Sequence, residues 1–386
     1  MYVQRFYFDH NATTPIAPEV LETMVACLGQ VYGNASSIHH FGQAAKQRLE
    51  AARRQVASLL HANPTEVVFT SGGTEADNLA IFGVVRGAAS RAAHVITTGI
   101  EHPAVLMTVK QLEREGVSVT ALRVGASGLL NPEDVQRALR PDTVLVSVMH
   151  ANNELGTLQP IAEIARITRE AGVPLHVDGV QALGKIPVDV DALGVDLYSM
   201  SGHKLYAPKG VGALYVRKGT RLSPVAFGGH HERDRRPGTE NIPGIAAFGA
   251  ASELAAQNLA ADGDRLGALR DRLETAVLER IPGSGVNGSR WHRVPNTSNL
   301  YFDGIDGEAM VIALDLRGFA VSTGAACSSG AIAPSHVLTA IGLSSDRARA
   351  SMRFSLGRSN TTEQVDALAD AICASVAHLR RISVHA

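Results

Sequence analysis

Short apolar runs rich in β-branched residues alternate with amphipathic stretches from about residue 66 to residue 216. The runs at 67–70, 94–98, 117–124, 144–149, 174–178, 196–200 and 212–216 read as strands. Several are apolar throughout, as strands covered on both faces of a mostly parallel sheet must be. Helix punctuation lies between them. Asn131-Pro132 offers an N-cap followed by proline at the first helical position, with Asp134 three residues after the cap. Pro160 opens a segment that places Ile161, Ile164, Ala165 and Thr168 on one face and stops at Gly172. Strands interleaved with helices in this way predict an α/β domain built on a mostly parallel seven-stranded sheet, with ligand loops at the carboxyl ends of the strands.

Beyond about residue 245 the pattern changes. Leu266, Leu269, Leu273, Val277 and Ile281 recur at helical spacing up to the break at Pro282-Gly283. Shorter strand candidates follow at 298–302 and 352–356, then a last helix with Val365, Leu368, Ile372, Val376 and Leu379 on one stripe. These features predict a smaller α+β domain. We place residues 15–255 in the large domain and residues 1–14 with 256–386 in the small one. There is no internal repeat and no low-complexity linker, so the two should pack closely.

Composition narrows the function classes. The 36 basic and 37 acidic residues nearly cancel, to a formal net charge of -1. Such a balance argues against a broad electrostatic footprint for nucleic acid or an anionic membrane. No apolar run reaches the about 20 residues needed to span a bilayer, and residues 1–15 lack a signal-peptide pattern. Three cysteines, Cys27, Cys327 and Cys373, are too few and too scattered for a disulfide framework or a zinc site. His39-His40 and His230-His231 have no carboxylate or cysteine to complete a ligand set, so no metal is expected. The expected setting is the reducing cytoplasm, with free thiols.

Candidate chemistry collects where predicted strands end. Ser199-Met200-Ser201-Gly202-His203-Lys204 follows a buried strand, and a desolvated lysine there can attack an aldehyde next to a phosphate. A solvated turn lysine is the plain alternative. Asp178 closes another strand and can hold a ring nitrogen protonated, with Gln181 able to donate to a ring hydroxyl. A lone aspartate at that place is commonly just an N-cap. Thr70-Ser71-Gly72-Gly73-Thr74-Glu75 joins a strand to a helix and suits a phosphate, although a glycine turn explains it nearly as well. His102, in Glu101-His102-Pro103, can stack on a planar cofactor or serve as an ordinary loop histidine. Cys327 lies in a run of small residues, Ser322-Thr323-Gly324-Ala325-Ala326-Cys327-Ser328-Ser329-Gly330, as an accessible thiol would. Cys27 and Cys373 sit among apolar helical positions and read as small buried hydrophobes.

In order along the chain, these stretches resemble the cysteine desulfurases of the NifS/IscS type, which have the class V aminotransferase fold. The resemblance runs from Phe8-Asp9-His10-Asn11-Ala12-Thr13-Thr14-Pro15 and Gly33-Asn34-Ala35-Ser36-Ser37 to Arg353-Phe354-Ser355-Leu356-Gly357-Arg358. It implies a fold-type I transferase that uses pyridoxal 5'-phosphate. On that resemblance Lys204 would bond the cofactor, Asp178 would meet its pyridine nitrogen, Gln181 its ring oxygen and His102 its face. Gly73, Thr74, Ser201 and His203 would hold the phosphate, and Thr239 would reach the phosphate of a neighbouring subunit in a homodimer. Asn153 and Arg353 would take the carboxylate of L-cysteine, and Arg353 has the fork for it. Cys327 would receive the sulfur and pass it to an acceptor protein such as an iron–sulfur scaffold. Ser335-His336 matches the branch with a long cysteine loop, and the chain ends at Ala386 without the longer tail of some members. Two other readings stay open at this point. One is a selenocysteine lyase or other class V enzyme that does not need Cys327, and the other is a non-catalytic sulfur-relay scaffold.

Overall fold

A computed structural model describes residues 4–88, 93–323 and 334–383. The chain opens with the two-residue strand β1 (Phe6–Tyr7), then helices α1 (Pro18–Gln30) and α2 (His40–Leu59). Proline stands at the start of α1, where its missing N–H costs nothing.

The seven expected strands are all present and form one sheet. They are β2 (Val67–Thr70), β3 (His94–Thr98), β4 (Ser118–Leu122), β5 (Thr143–Met149), β6 (Leu175–Asp178), β7 (Leu197–Ser201) and β8 (Gly212–Val216). Their order is β2-β8-β7-β6-β5-β3-β4, parallel except for β8, which runs antiparallel to both neighbours. Every residue of β2, β3, β6, β7 and β8 is buried, which accounts for their largely apolar character, with His94, His176 and Ser199 buried among the apolar side chains. Edge strand β4 is partly exposed and is shorter than its apolar run.

Helices α3 (Gly73–Gly87), α4 (Pro103–Arg114), α5 (Pro132–Ala138), α6 (Ile161–Glu170) and the single turn α7 (Val190–Leu193) fill the connections. Asn131 caps α5 by accepting from Glu133 N at 3.1 Å, as its sequence signature requires. Strand order reverses between β3 and β5, and crevices at such a reversal are where ligands bind in open α/β sheets. The buried Glu101 spans that point: its Oε1 accepts from Thr98 Oγ1 at 2.6 Å and from Met149 N at 3.0 Å. Burial, with Asp178 and Asp77 nearby, pushes its carboxyl up to about 8 against those two hydrogen bonds, so it is protonated at neutral pH.

Helix α8 (Ile242–Arg280) serves two cores. Its first half, including Ile245, Phe248 and Ala251, packs under the large sheet. Its second half, with Leu266, Leu269, Leu273 and Val277, enters a separate core with Phe8, Phe302, Phe354 and Ile372. That second core lies on an antiparallel sheet of order β12-β10-β9, formed by β9 (Ser284–Val286), β10 (Thr297–Phe302) and β12 (Ser351–Ser355). Strand β1 pairs in parallel with β11 (Phe319–Ala320) beside it. Helices α9 (Gly307–Asp315) and α12 (Thr362–Ser383) complete this part, while α10 (His336–Ala340) and α11 (Ser345–Arg349) pack in a further cluster with Ile100, Met149 and Leu155 of the large part. Among the described residues no helix is long and apolar enough to cross a membrane.

Residues 9–14 bridge the two sheets. Asp9 pairs with Ser355 of β12, and Thr14 N donates to His203 O at 3.0 Å, just beyond β7. The N-terminal segment therefore lies across the carboxyl edge of the large sheet.

Candidate active site

Each expected ring-side residue leaves a strand at that carboxyl edge. β7 ends at Ser201, and a tight turn carries Gly202, His203 and Lys204 over the edge. Lys204 Nζ donates to Asn11 O at 2.5 Å and to Ala12 O at 2.7 Å. His203 is held by its Nδ1, 3.1 Å from Thr13 Oγ1. Burial and the positive charges of Lys204 and Lys209 lower its imidazole to about 4, so it is neutral.

Asp178 ends β6, buried, with Oδ1 accepting from Val180 N at 3.0 Å. Burial and the neighbouring Asp77 push its carboxyl up to about 6, against the pull of His102 and His176. A cation placed beside it would bring it back down. His102 caps α4, its Nδ1 accepting from Ala104 N at 3.1 Å. In the neutral ring that assigns the proton to Nε2. Burial lowers its pKa; the Asp178 charge opposes that, and Lys204 and His336 reinforce it. Lys204, Asp178 and His102 thus converge closely enough to feel one another's charge.

Gln181 follows Asp178 by one turn and is fixed at both ends of its amide. Nε2 donates to Asn11 O at 2.9 Å, and Oε1 accepts from Lys185 Nζ at 2.5 Å. Lys185 Nζ also donates to Asn11 Oδ1 at 2.8 Å. Burial, with Lys204 and Arg353 near, drives the Lys185 amine well below its usual range.

The glycine turn lies against the same edge. A Cβ on Gly73 would sit 2.7 Å from Val180 Cγ2 and 3.5 Å from Ser201 Cβ. Only glycine lets the first turn of α3 come this close to β6 and β7. Thr74, in that turn, is exposed, while Ser201 is buried. Glu75 supports the turn by accepting from Ser71 N at 2.6 Å and from Arg236 Nε at 2.8 Å. Burial alone would raise its carboxyl, but these bonds outweigh it and hold Glu75 below its usual range.

Arg236 tethers the segment that carries Thr239, which is exposed. A second anchor for that segment is Glu232, whose two oxygens take Arg53 Nη1 and Nη2 at 2.8 Å each, both partners buried. Glu232 Oε2 also accepts from Phe69 N at 2.9 Å. Glu232→Ala should therefore cost about 3 kcal/mol by removing the buried partner of the Arg53 guanidinium, which keeps only the half-exposed Glu50 at 3.2 Å and Val67 O at 2.8 Å. Urea unfolding measures this, and a loss under about 1 kcal/mol would show a pair without net effect.

The expected carboxylate-side residues form a second group. Arg353, on β12, is buried; Nη2 donates to Asp9 Oδ1 at 2.6 Å and Nη1 to Asn153 O at 3.0 Å. Among the described residues its Nε is a buried donor without a hydrogen-bond partner. Asn11 ties this group to the first, since its Nδ2 donates to Asn153 O at 3.1 Å. Cys327 lies outside the described residues. Cys27 is buried and Cys373 packs against the second core; burial raises both thiols.

Sequence reading missed two residues that organise the site. Asn11 appeared only inside a resembling stretch, and Lys185 not at all. Lys185 lies in a run of turns after β6, where no periodic pattern marks it.

The sequence pattern described as Aminotransferase class-V matches residues 6–368. A cysteine desulfurase IscS of Dictyoglomus turgidum is 46% identical over 377 residues, covering 98% of this chain and 96% of the relative. Another, of Anaeromyxobacter dehalogenans, is 50% identical over 363 residues, covering 93% and 89%. The chain belongs to the cysteine desulfurases of the class-V aminotransferase family. Solved structures agree. A NifS-like protein superposes on this desulfurase with a TM-score of 0.92 at 37% identity, covering 97% of this chain and 100% of that one. SspA in complex with cysteine superposes with a TM-score of 0.82 at 38% identity, covering 91% and 98%.

Proposed function

We propose that this desulfurase takes the sulfur of L-cysteine onto Cys327, releases L-alanine, and passes the persulfide sulfur to an acceptor protein such as an iron–sulfur scaffold. The observation that carries the reading is the convergence of Lys204, Asp178 and His102 at the carboxyl edge, beside the buried Arg353. The same residues fit pyridoxal 5'-phosphate: an amine at a strand mouth, a carboxylate raised to about 6 by burial and Asp77, and a glycine turn closed to any Cβ. When bound, that cofactor supplies an aldehyde carbon for the amine and an electron-withdrawing ring.

Lys204 Nζ would hold the aldehyde carbon, and the same Nζ would take the substrate's Cα proton. Asp178 would hold the ring nitrogen's proton. Gln181 Nε2, its amide orientation fixed by Lys185, would donate to the ring oxygen. His102, with its proton on Nε2, would pack against the ring. Gly73, Thr74, Ser201 and His203 hold the phosphate, together with Thr239 of a second copy. Asn153 and Arg353 orient the substrate carboxylate, and Arg353 Nε, unpartnered among the described residues, is a ready donor. The Cys327 thiolate attacks the substrate sulfur. An S–S bond forms as the C–S bond breaks, the bonding pair stays with carbon, and a proton there completes alanine. L-Cysteine and one enzyme thiol thus give L-alanine and one enzyme persulfide, with no outside oxidant.

A homodimer is supported by the apolar face that one copy leaves open. Leu21, Val25 and Leu28 of α1, with Tyr32, Ile38 and Phe41, are all exposed. We read the two cores as the large and small domains given above, and the setting as the cytoplasm. Mass spectrometry after incubation with L-cysteine tests the function. The expected result is an added sulfur mapped to Cys327; one mapped to Cys27 or Cys373 would overturn the assignment.

A further inference from the structure

The segment that holds Cys327 is tied at both described ends to the substrate side of the site. Upstream, Ser322 bridges Arg353: Ser322 N donates to Arg353 O at 3.3 Å and Arg353 N to Ser322 O at 2.6 Å. Downstream, Ser335 Oγ donates to Glu154 Oε2 at 2.6 Å. The next residue, His336, donates from Nε2 to Glu101 O at 3.0 Å. Glu154 follows Asn153 and Glu101 precedes His102.

Valence fixes the sense of the Ser335–Glu154 bond. Ser335 Oγ caps α10, accepting from Val337 N at 3.1 Å and Leu338 N at 3.3 Å. Both lone pairs are then used, so its one proton goes to Glu154. Glu154 is itself buried, and the reaction just described gives its carboxylate no role. Burial pushes its carboxyl up, against the Ser335 hydrogen bond and the neighbouring His336 and Arg353. A buried acid is costly to keep unless something depends on it.

We propose that Glu154, acting through Ser335, is a positioning residue for sulfur transfer, holding the downstream end of the Cys327 segment in register with the substrate groups. The proposal rests on the desulfurase reading of Cys327. A cap that served only α10 would change stability and move every activity together. A positioning bond moves only the step that needs Cys327.

The test uses the cofactor-loaded enzyme and two readouts. One is alanine formed from L-cysteine; the other is exchange of the substrate Cα proton in D2O, which needs Lys204 and not Cys327. In Ser335→Ala and Glu154→Leu, alanine formation should fall about ten- to hundredfold, the cost of a misplacement of about 1 Å, while exchange stays within about twofold. Ser335→Thr keeps the hydroxyl and should restore alanine formation. An equal fall in both readouts, or no fall in either, overturns the proposal. A wild-type enzyme that exchanges the proton but forms no alanine overturns the desulfurase reading as well.

Discussion

Lys204→Ala is expected to end covalent retention of pyridoxal 5'-phosphate and to lower alanine formation by at least about 10²–10⁴-fold, the usual contribution of a positioned acid–base group. The residue has two tasks on one nitrogen: bonding the aldehyde carbon and moving the Cα proton. Both need the Nζ at the mouth of β7, where Asn11 O and Ala12 O hold it at 2.5 Å and 2.7 Å. Borohydride treatment followed by peptide mass mapping reads the first task. In the wild type the cofactor's mass should be fixed on the peptide containing Lys204, and in the variant on none. Proton exchange in D2O reads the second. A variant that kept either function would show that another amine, Lys185 being the nearest candidate, is the true nucleophile. Thermal unfolding of the cofactor-free proteins separates these outcomes from a folding defect.

How far the chain could be read in advance depended on the range of the forces involved. Six of the seven strands were legible because they are buried on both faces, which writes the environment directly into the residues, and edge strand β4 was legible from its β-branched run alone. The reversed direction of β8 was legible in principle. Only residues 202–211 separate it from β7, too few for a parallel crossover. Apolarity carries no direction, however, and the pattern alone left this open. The site divides the same way. Lys204, Asp178 and His102 each follow a strand, so a local pattern located them. Asn11 depends on partners far along the chain: it meets Asn153 142 residues away and Lys185 174 residues away. No spacing rule reaches that far. Glu154 and Ser335, 181 residues apart, are illegible for the same reason.

Asp178→Asn is expected to move stability and function in opposite directions. In the cofactor-free protein the carboxyl of Asp178 has been raised from 3.8 to about 6, mainly by burial and then by Asp77. A raised carboxyl favours the protonated form. Its stabilising contribution is complete below about 4 and is lost as pH climbs through about 6. At neutral pH the wild-type apoprotein thus carries a buried charge that costs up to about 3 kcal/mol. Asparagine keeps the acceptor for Val180 N and carries no charge. The variant apoprotein should therefore melt higher than the wild type near neutral pH, with the gap closing on acidification from about pH 6 to about pH 4. Cofactor binding should show the opposite order, weaker in the variant by about 2–5 kcal/mol, because the ring nitrogen loses a buried charged partner. Alanine formation should fall with it. Melting curves of both apoproteins across that pH range, alongside cofactor titrations, provide the measurement. A variant no more stable than wild type at neutral pH would mean that Asp178 is already compensated without the cofactor. The strand end would then be an ordinary cap, and the electrostatic readiness for a ring cation would have to lie elsewhere, with Asp77 and its own carboxyl near 7 as the next group to test.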